Sequence, residues 1–246
     1  MLSLFLAPIN RLCDPRGAEV FCDWELARLA AISSNKRRQE YLAGHSLLRL
    51  AAAHTLGASA NNAIWQQPAN SAPQLSQHPH LTFGLSHSAG WVGAVVEAIE
   101  PSAKRVEKTG IDIELERDRK NLTQLANYSF TEDWLMQHRG HLLPAFFQRW
   151  TLCEALVKGS QKKLGTELLR HQKFAREQQT DTGHWLYHTR IAPEQTHYTA
   201  LALNSALHIS LCSERHYAGH QIHVFLLADN TFNTLAPMAF STFKAL

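Results

Sequence analysis

The apolar residues of this chain change period partway along it, and that change limits what the chain can fold into. In NKRRQEYLAGHSLLRLAAAHTLG, residues 35–57, Tyr41, Leu42, Leu48, Ala52 and Leu56 recur at helical intervals, and Gly57 marks the end. In LTFGLSHSAGWVGAVVEAIE, residues 81–100, the pattern becomes that of two short strands, 81–85 and 91–97, joined by the tight segment SHSAG. Ser86, His87 and Ser88 therefore stand at a strand end. QQPANSAPQLSQHPH, residues 66–80, is rich in Pro, Gln, Asn and Ser and reads as a loop.

GIDIELE, residues 110–116, alternates: Ile111, Ile113 and Leu115 face one way, Asp112, Glu114 and Glu116 the other. TEDW opens a short helix over 131–139 with an N-cap followed by acids. A long helix is predicted from about Pro144 to Leu164, and HWLYHTRI, HYTALALN, ALHISLC and HVFLLAD read as strands, giving an α+β chain.

The chain has 246 residues, 45% of them hydrophobic, enough for one large domain or two ordinary ones. Charged residues make up 18% and the formal net charge is +3, so charge alone predicts no bulk nucleic-acid affinity. The Lys36-Arg37-Arg38 cluster offers a nucleic-acid reading, but no stacking-aromatic motif or second basic stripe accompanies it. Cys13, Cys22, Cys153 and Cys212 are scattered without a CxxC pair, as free cytosolic thiols are. The start, MLSLFLAPINRLCD, lacks a basic segment and reaches Pro8 too soon for a signal peptide, and no run is long enough for a membrane span. A cytoplasmic protein with neither a membrane nor a nucleic-acid partner is expected. The fifteen histidines form no HExxH motif and read mostly as surface or interface residues.

The chemistry is concentrated in RWTLCEALVKG, residues 149–159, where Glu154 and Lys158 lie one helical turn apart. Such a pair is ordinarily worth only about 0.2–0.5 kcal/mol. Here Leu152, Leu156 and Val157 leave that face not obviously exposed, and an acid in a buried or cleft-facing position needs partners. Asp112 and Glu114, two apart on a strand, project from one face. Mg²⁺ is held by a few carboxylates while keeping waters and substrate phosphates, and Glu154 completes such a set if its helix packs on the strand. Lys158 would then meet the phosphate. Lys36, Arg37 and Arg38 oppose the macrodipole at their helix start, which points to an anion site. SLLRLAAAHTLG (46–57) set against EALVKGSQKKLG (154–165) matches Leu48 with Leu156, Leu56 with Leu164 and Gly57 with Gly165, a hint of two similarly built halves.

LSHSAGWV (85–92), GIDIE (110–114) and WTLCEALVK (150–158), in that order, resemble the Sfp-type 4′-phosphopantetheinyl transferases, the resemblance running from the RRQEYLAGHSLLR helix to about Leu164. It implies a tandem pseudo-dimer of two α+β halves, each a helix packed on a small sheet, with the active site in the cleft between them. The halves would be residues 1–108, with the coenzyme A phosphate contacts, and residues 109–246, with the metal-binding carboxylates. The implied reaction moves 4′-phosphopantetheine from coenzyme A to a serine of an apo acyl or peptidyl carrier protein and releases adenosine 3′,5′-bisphosphate. By motif match Asp112, Glu114 and Glu154 would bind Mg²⁺, with Mn²⁺ as an alternative ion. Glu154 would also be the base for the carrier serine, and Lys158 would contact the pyrophosphate. His87, with Ser86 beside it, would contact a phosphate, and Arg37 or Arg38 would take the 3′-phosphate. A monomer is expected, and Phe130 and Trp134 are candidates for the carrier-docking patch.

The chain departs from the family pattern at several points. Cys153 stands where relatives often have Lys; a lone helical Cys reads as a packing residue. Ser71-Ala72-Pro73 replaces Gly-Lys-Pro, Gly44-His45 replaces Gly-Arg, and KKLG carries lysine where glycine is usual. Cys153 and the Ser71-Ala72-Pro73 loop motivate an alternative, a non-catalytic relative that binds coenzyme A or a carrier protein.

Overall fold

The computed structural model describes residues 1–57, 63–67, 72–99, 108–160, 166–172, 174–176, 184–193, 203–217, 222–228, 231–235 and 238–245. They form seven α-helices: α1 (Ile9–Leu12), α2 (Asp23–Ala31), α3 (Asn35–Leu56), α4 (Leu122–Ser129), α5 (Glu132–Gln137), α6 (Leu142–Ser160) and α7 (Thr166–His171). Their twelve strands are β1 (Leu2–Pro8), β2 (Trp65–Gln66), β3 (Gln74–Leu75), β4 (Leu81–Ser88), β5 (Trp91–Ala98), β6 (Gly110–Leu115), β7 (Phe174–Arg176), β8 (Trp185–Ile191), β9 (Leu207–Ser213), β10 (Ile222–Ala228), β11 (Thr231–Thr234) and β12 (Ser241–Ala245). The chain is mixed α+β and divides into two compact units, Met1–Glu107 with Gln221–Pro237, and Lys108–His220 with Met238–Leu246.

In the first unit a five-stranded sheet runs β11-β10-β1-β5-β4, and α3 packs on it. The apolar start of the chain is the interior strand of this sheet. Leu4, Phe5 and Leu6 are fully buried, with β5 antiparallel on one side and β10 parallel on the other. The expected boundary gives residues 221–237 to the C-terminal half, whereas here they belong to the first unit. The physical reason is that β1, buried along nearly all of its length, cannot be left as an open edge, and β10 supplies the missing ladder. Ser34 caps α3, its hydroxyl accepting from Arg37 N at 3.4 Å, and Gly57 ends the helix at φ +59°. Gly44 lets α3 approach β4: a Cβ there would meet Leu85 Cδ2 at 2.7 Å.

The strand signal at 81–85 extends through Ser88, and a two-residue turn of Ala89 and Gly90, both at positive φ, returns the chain into β5. The stretch read as a loop holds one short strand, β3, paired with β2.

In the second unit a five-stranded sheet runs β6-β9-β8-β12-β7 and carries α6. Thr131 caps α5 through Trp134 N, as TEDW predicts. The long helix begins two residues before Pro144; its predicted end, with Leu164 and Gly165 of the repeat comparison, lies outside the described residues, as does most of HYTALALN. No helix among the described residues is long and apolar enough to cross a membrane.

Candidate functional site

Two glycines bring α6 onto β6. A Cβ at Gly110 would overlap the carbonyl oxygen of Ala155 and reach 2.5 Å from Gly159 N, and a Cβ at Gly159 would lie 2.8 Å from Cys212 Sγ. Backbone against backbone, helix and strand are fixed in register. That contact places α6 over the carboxylate face of β6. Lys158 Nζ donates to Asp112 Oδ1 at 2.7 Å, although Asp112 is almost wholly buried and Lys158 remains partly exposed.

Glu154 is half-buried on the same helix face. Burial, then the negative charge of Asp112, raise its carboxyl above the ordinary value; Lys158 acts the other way and Glu114 adds to the rise. All four sequence-predicted groups of this unit are therefore electrostatically coupled. The donor chemistry, three carboxylates, fits a hard divalent cation. In the geometry adopted here Asp112 Oδ1 holds the Lys158 ammonium, and no group of three or more His, Cys, Asp or Glu among the described residues stands in metal-binding arrangement.

Cys153 is fully buried among Ala126, Phe130, Phe146 and Phe147, and burial pushes its thiol up to about 12, so it packs and does not react. Phe130 is likewise only 2% exposed, packed edge-on against Phe146 in the core, which removes it from any docking surface. Trp134 is half-buried and stacks on His138.

Strand register extends the polar face of this sheet well beyond the two predicted acids. Asp112 pairs with Ser210, Ser210 with His188, and His188 with Ser241, one row across four strands; Glu114, His208 and Arg190 form the next. From α6, Gln148 reaches His188 Nδ1 at 3.4 Å and Thr151 reaches the Ser210 hydroxyl at 2.8 Å. Glu116 accepts from Arg190 Nε at 2.6 Å and from His208 Nε2 at 2.7 Å. Burial works to raise the Glu116 carboxyl, but these two hydrogen bonds outweigh it and hold the group low. The sequence reading missed this network. Its signal was present: Gln148, Thr151, Glu154 and Lys158 recur at helical spacing, and His208 and Ser210 alternate with apolar residues.

In the first unit, Arg37 and Arg38 are exposed in the first turn of α3. Ser86 is buried, and His87 at the end of β4 turns its Nδ1 toward Glu40 Oε2 at 3.7 Å. Glu40, almost wholly buried, also lies 3.7 Å from Lys36, so a carboxylate absent from the predicted set sits beside the predicted phosphate contact. His45, in the place of the relatives' arginine, is buried and bonds Glu25 at 2.6 Å. Arg49 and Cys22 complete that cluster, and Arg49 also lies over the Phe21 ring at 4.7 Å. Burial acts to raise Glu25, but the His45 and Arg49 hydrogen bonds prevail and bring it to about 2. His45 thus serves the interior of this unit. Ser71 lies outside the described residues.

No protein-family model matches the sequence, and no curated protein matches it.

Proposed function

We propose that the chain is an Sfp-type, Mg²⁺-dependent 4′-phosphopantetheinyl transferase acting in the cytoplasm on an apo acyl or peptidyl carrier protein. The observation that carries this reading is the meeting of Lys158 with Asp112, beside a Glu154 whose carboxyl is raised by burial and by its acidic neighbours. The motif order described above supplies the reaction class. The proposal includes two halves of like design. In support, each unit has one long helix, of 22 residues in α3 and 19 in α6, on a five-stranded sheet, with a glycine at the helix–strand contact.

Asp112, Glu114 and Glu154 would hold Mg²⁺, which would neutralise charge developing on the transferred phosphoryl group. The raised Glu154 carboxyl suits a base that takes the proton from the carrier serine. As the serine oxygen bonds to the phosphorus bearing pantetheine, the phosphorus–oxygen bond to adenosine 3′,5′-bisphosphate breaks. Lys158, leaving Asp112, would follow the charge onto the leaving phosphate. Arg37 or Arg38 would bind the 3′-phosphate, and Ser86 and His87 a further coenzyme A phosphate.

Intact mass of an apo carrier protein after incubation with the chain, coenzyme A and Mg²⁺ tests the reading. A gain of one phosphopantetheine, abolished by chelator, is expected. Coenzyme A binding without modification of any of several acyl and peptidyl carriers would transfer support to the non-catalytic reading.

A further inference from the structure

Side-chain hydrogen bonds tie α6 to three neighbouring strands. Lys158 Nζ meets Asp112 Oδ1 of β6 at 2.7 Å, Thr151 Oγ1 meets Ser210 Oγ of β9 at 2.8 Å, and Gln148 Nε2 meets His188 Nδ1 of β8 at 3.4 Å. Asp112, Ser210 and His188 are partners in register, so the three ties follow one row across the sheet.

The ties differ in what surrounds them. Thr151 and Ser210 are both fully buried. The Thr151 hydroxyl hydrogen goes to the Gln148 carbonyl at 3.1 Å, so the hydrogen between the two side chains belongs to Ser210. Water cannot compete for either group there. Gln148 and His188 line a cavity of about 370 Å³, and their contact is the longest of the three, although His188 Nε2 is backed by His208 Nδ1 at 3.0 Å. Lys158 keeps 36% of its side chain exposed and can turn to solvent.

Glu154 lies between the buried tie and the exposed one. At the helical repeat, Thr151 and Lys158 fall within about 20° of one line along α6, about 10 Å apart, with Glu154 near the midpoint. Gly110 and Gly159 fix how closely α6 approaches β6, but a helix resting on two glycines can still turn about its axis. Functional groups have to be held to within about 0.5 Å and 10–20°. The proposed reaction takes Lys158 away from Asp112, and with it the tie on the C-terminal side of Glu154. On the N-terminal side stands Thr151–Ser210, next to Asp112 in the strand row.

We propose that Thr151 and Ser210 are positioning residues: their hydrogen bond fixes the rotation of α6 and so keeps Glu154 beside Asp112 when Lys158 departs. The inference rests on the transferase reading for the event that releases Lys158.

Three variants of the full-length protein test it. Thr151→Val keeps the shape and removes the hydroxyl, and Thr151→Ser restores the hydroxyl. Ser210→Ala removes the donated hydrogen while Thr151 keeps its bond to the Gln148 carbonyl, so this variant retains the fold. Calorimetric titration of Mg²⁺ into the metal-free protein is expected to show affinity falling roughly tenfold in Thr151→Val and Ser210→Ala, the loss of one hydrogen bond, and staying within about twofold of the parent in Thr151→Ser. In carrier modification the first two variants should lose kcat with the KM for coenzyme A little changed, since Arg37 and Arg38 lie on another helix. Parental Mg²⁺ affinity in both hydroxyl-free variants, or an equal loss in Thr151→Ser, would overturn the proposal. A parent that modifies carriers while the variants match it removes the positioning role and leaves the activity. Mg²⁺ binding that responds to the variants, without transfer, keeps the positioning role at the cation site and removes the activity. A parent that neither binds Mg²⁺ nor modifies a carrier removes both.

Discussion

Lys158 Nζ lies 2.7 Å from Asp112 Oδ1, across 46 residues of chain. The lysine occupies an oxygen that a divalent cation would use, so cation binding at Asp112 has to displace the ammonium. Lys158→Ala is expected to destabilise the metal-free protein slightly, as loss of a partly exposed ion pair does, by about 1 kcal/mol or less. The same substitution is expected to enlarge the stabilisation produced by Mg²⁺, because three acidic groups lose their internal cation. Thermal melts with and without Mg²⁺ measure both effects. An unchanged Mg²⁺ response would separate the lysine from the cation site.

Glu154→Gln is expected to make the protein more stable near neutral pH. The folded-state carboxyl is raised by burial and by Asp112, so the folded protein binds this proton more tightly than the unfolded chain does. Stability from this group is complete below the ordinary glutamate value and is lost as pH rises through the higher folded value. The variant should therefore gain over the parent as pH increases from 4 to 8, while transfer activity falls by about a hundredfold or more, the scale of a lost general base. A melting temperature that drops equally at every pH would contradict this.

Gly110→Ala should be the more damaging of the two glycine substitutions at the helix–strand contact. Its Cβ meets backbone atoms of Ala155 and Gly159, which cannot turn aside, whereas the Cβ of Gly159→Ala meets chiefly the Cys212 side chain. A loss of about 3 kcal/mol or more is expected for Gly110→Ala, beyond ordinary overpacking. The helical position of Gly159 returns about 1 kcal/mol of propensity. Urea melts of the two variants would reverse the argument if Gly159→Ala proved the less stable.

Glu25 governs the acid limit of the first unit. Its folded carboxyl, at about 2, lies below the ordinary 4.5, so its contribution is present above 4.5 and lost as pH falls toward 2. Glu25→Gln leaves part-buried Arg49 and buried His45 without their carboxylate and is expected to cost about 3–5 kcal/mol at neutral pH. Stability curves of the parent and the variant should converge toward pH 2, which an acid titration followed by circular dichroism measures.

Arg37→Ala with Arg38→Ala is expected to raise the KM for coenzyme A by about tenfold to a hundredfold, the loss of one charge-assisted contact, with kcat little changed. The KM for 3′-dephospho-coenzyme A should stay the same. Equal losses for both substrates would move the 3′-phosphate away from this helix start.

Much of the local structure was legible in the chain. The helical repeat of 35–57, its Gly57 stop, the alternation of GIDIELE and the TEDW cap each encode an element through neighbours a few residues apart. The departure at Cys153 was legible too, since an apolar thiol among aromatic residues belongs in a core. The Phe130 docking expectation failed because nothing near Phe130 in sequence announces Phe146, one of the rings packed against it in the core.

The sequence by itself determined the element types and the residues carrying charge, because periodicity and capping act over one or two turns of chain. Only the tertiary structure decided that β10 and β11 complete the first unit's sheet, that Glu40 stands at His87, and that Glu116, His208, His188 and Gln148 form one chain. Strand register decides such partnerships. It is fixed by which apolar face can be buried and by where two glycines let a helix touch a strand, and both depend on segments far apart in sequence.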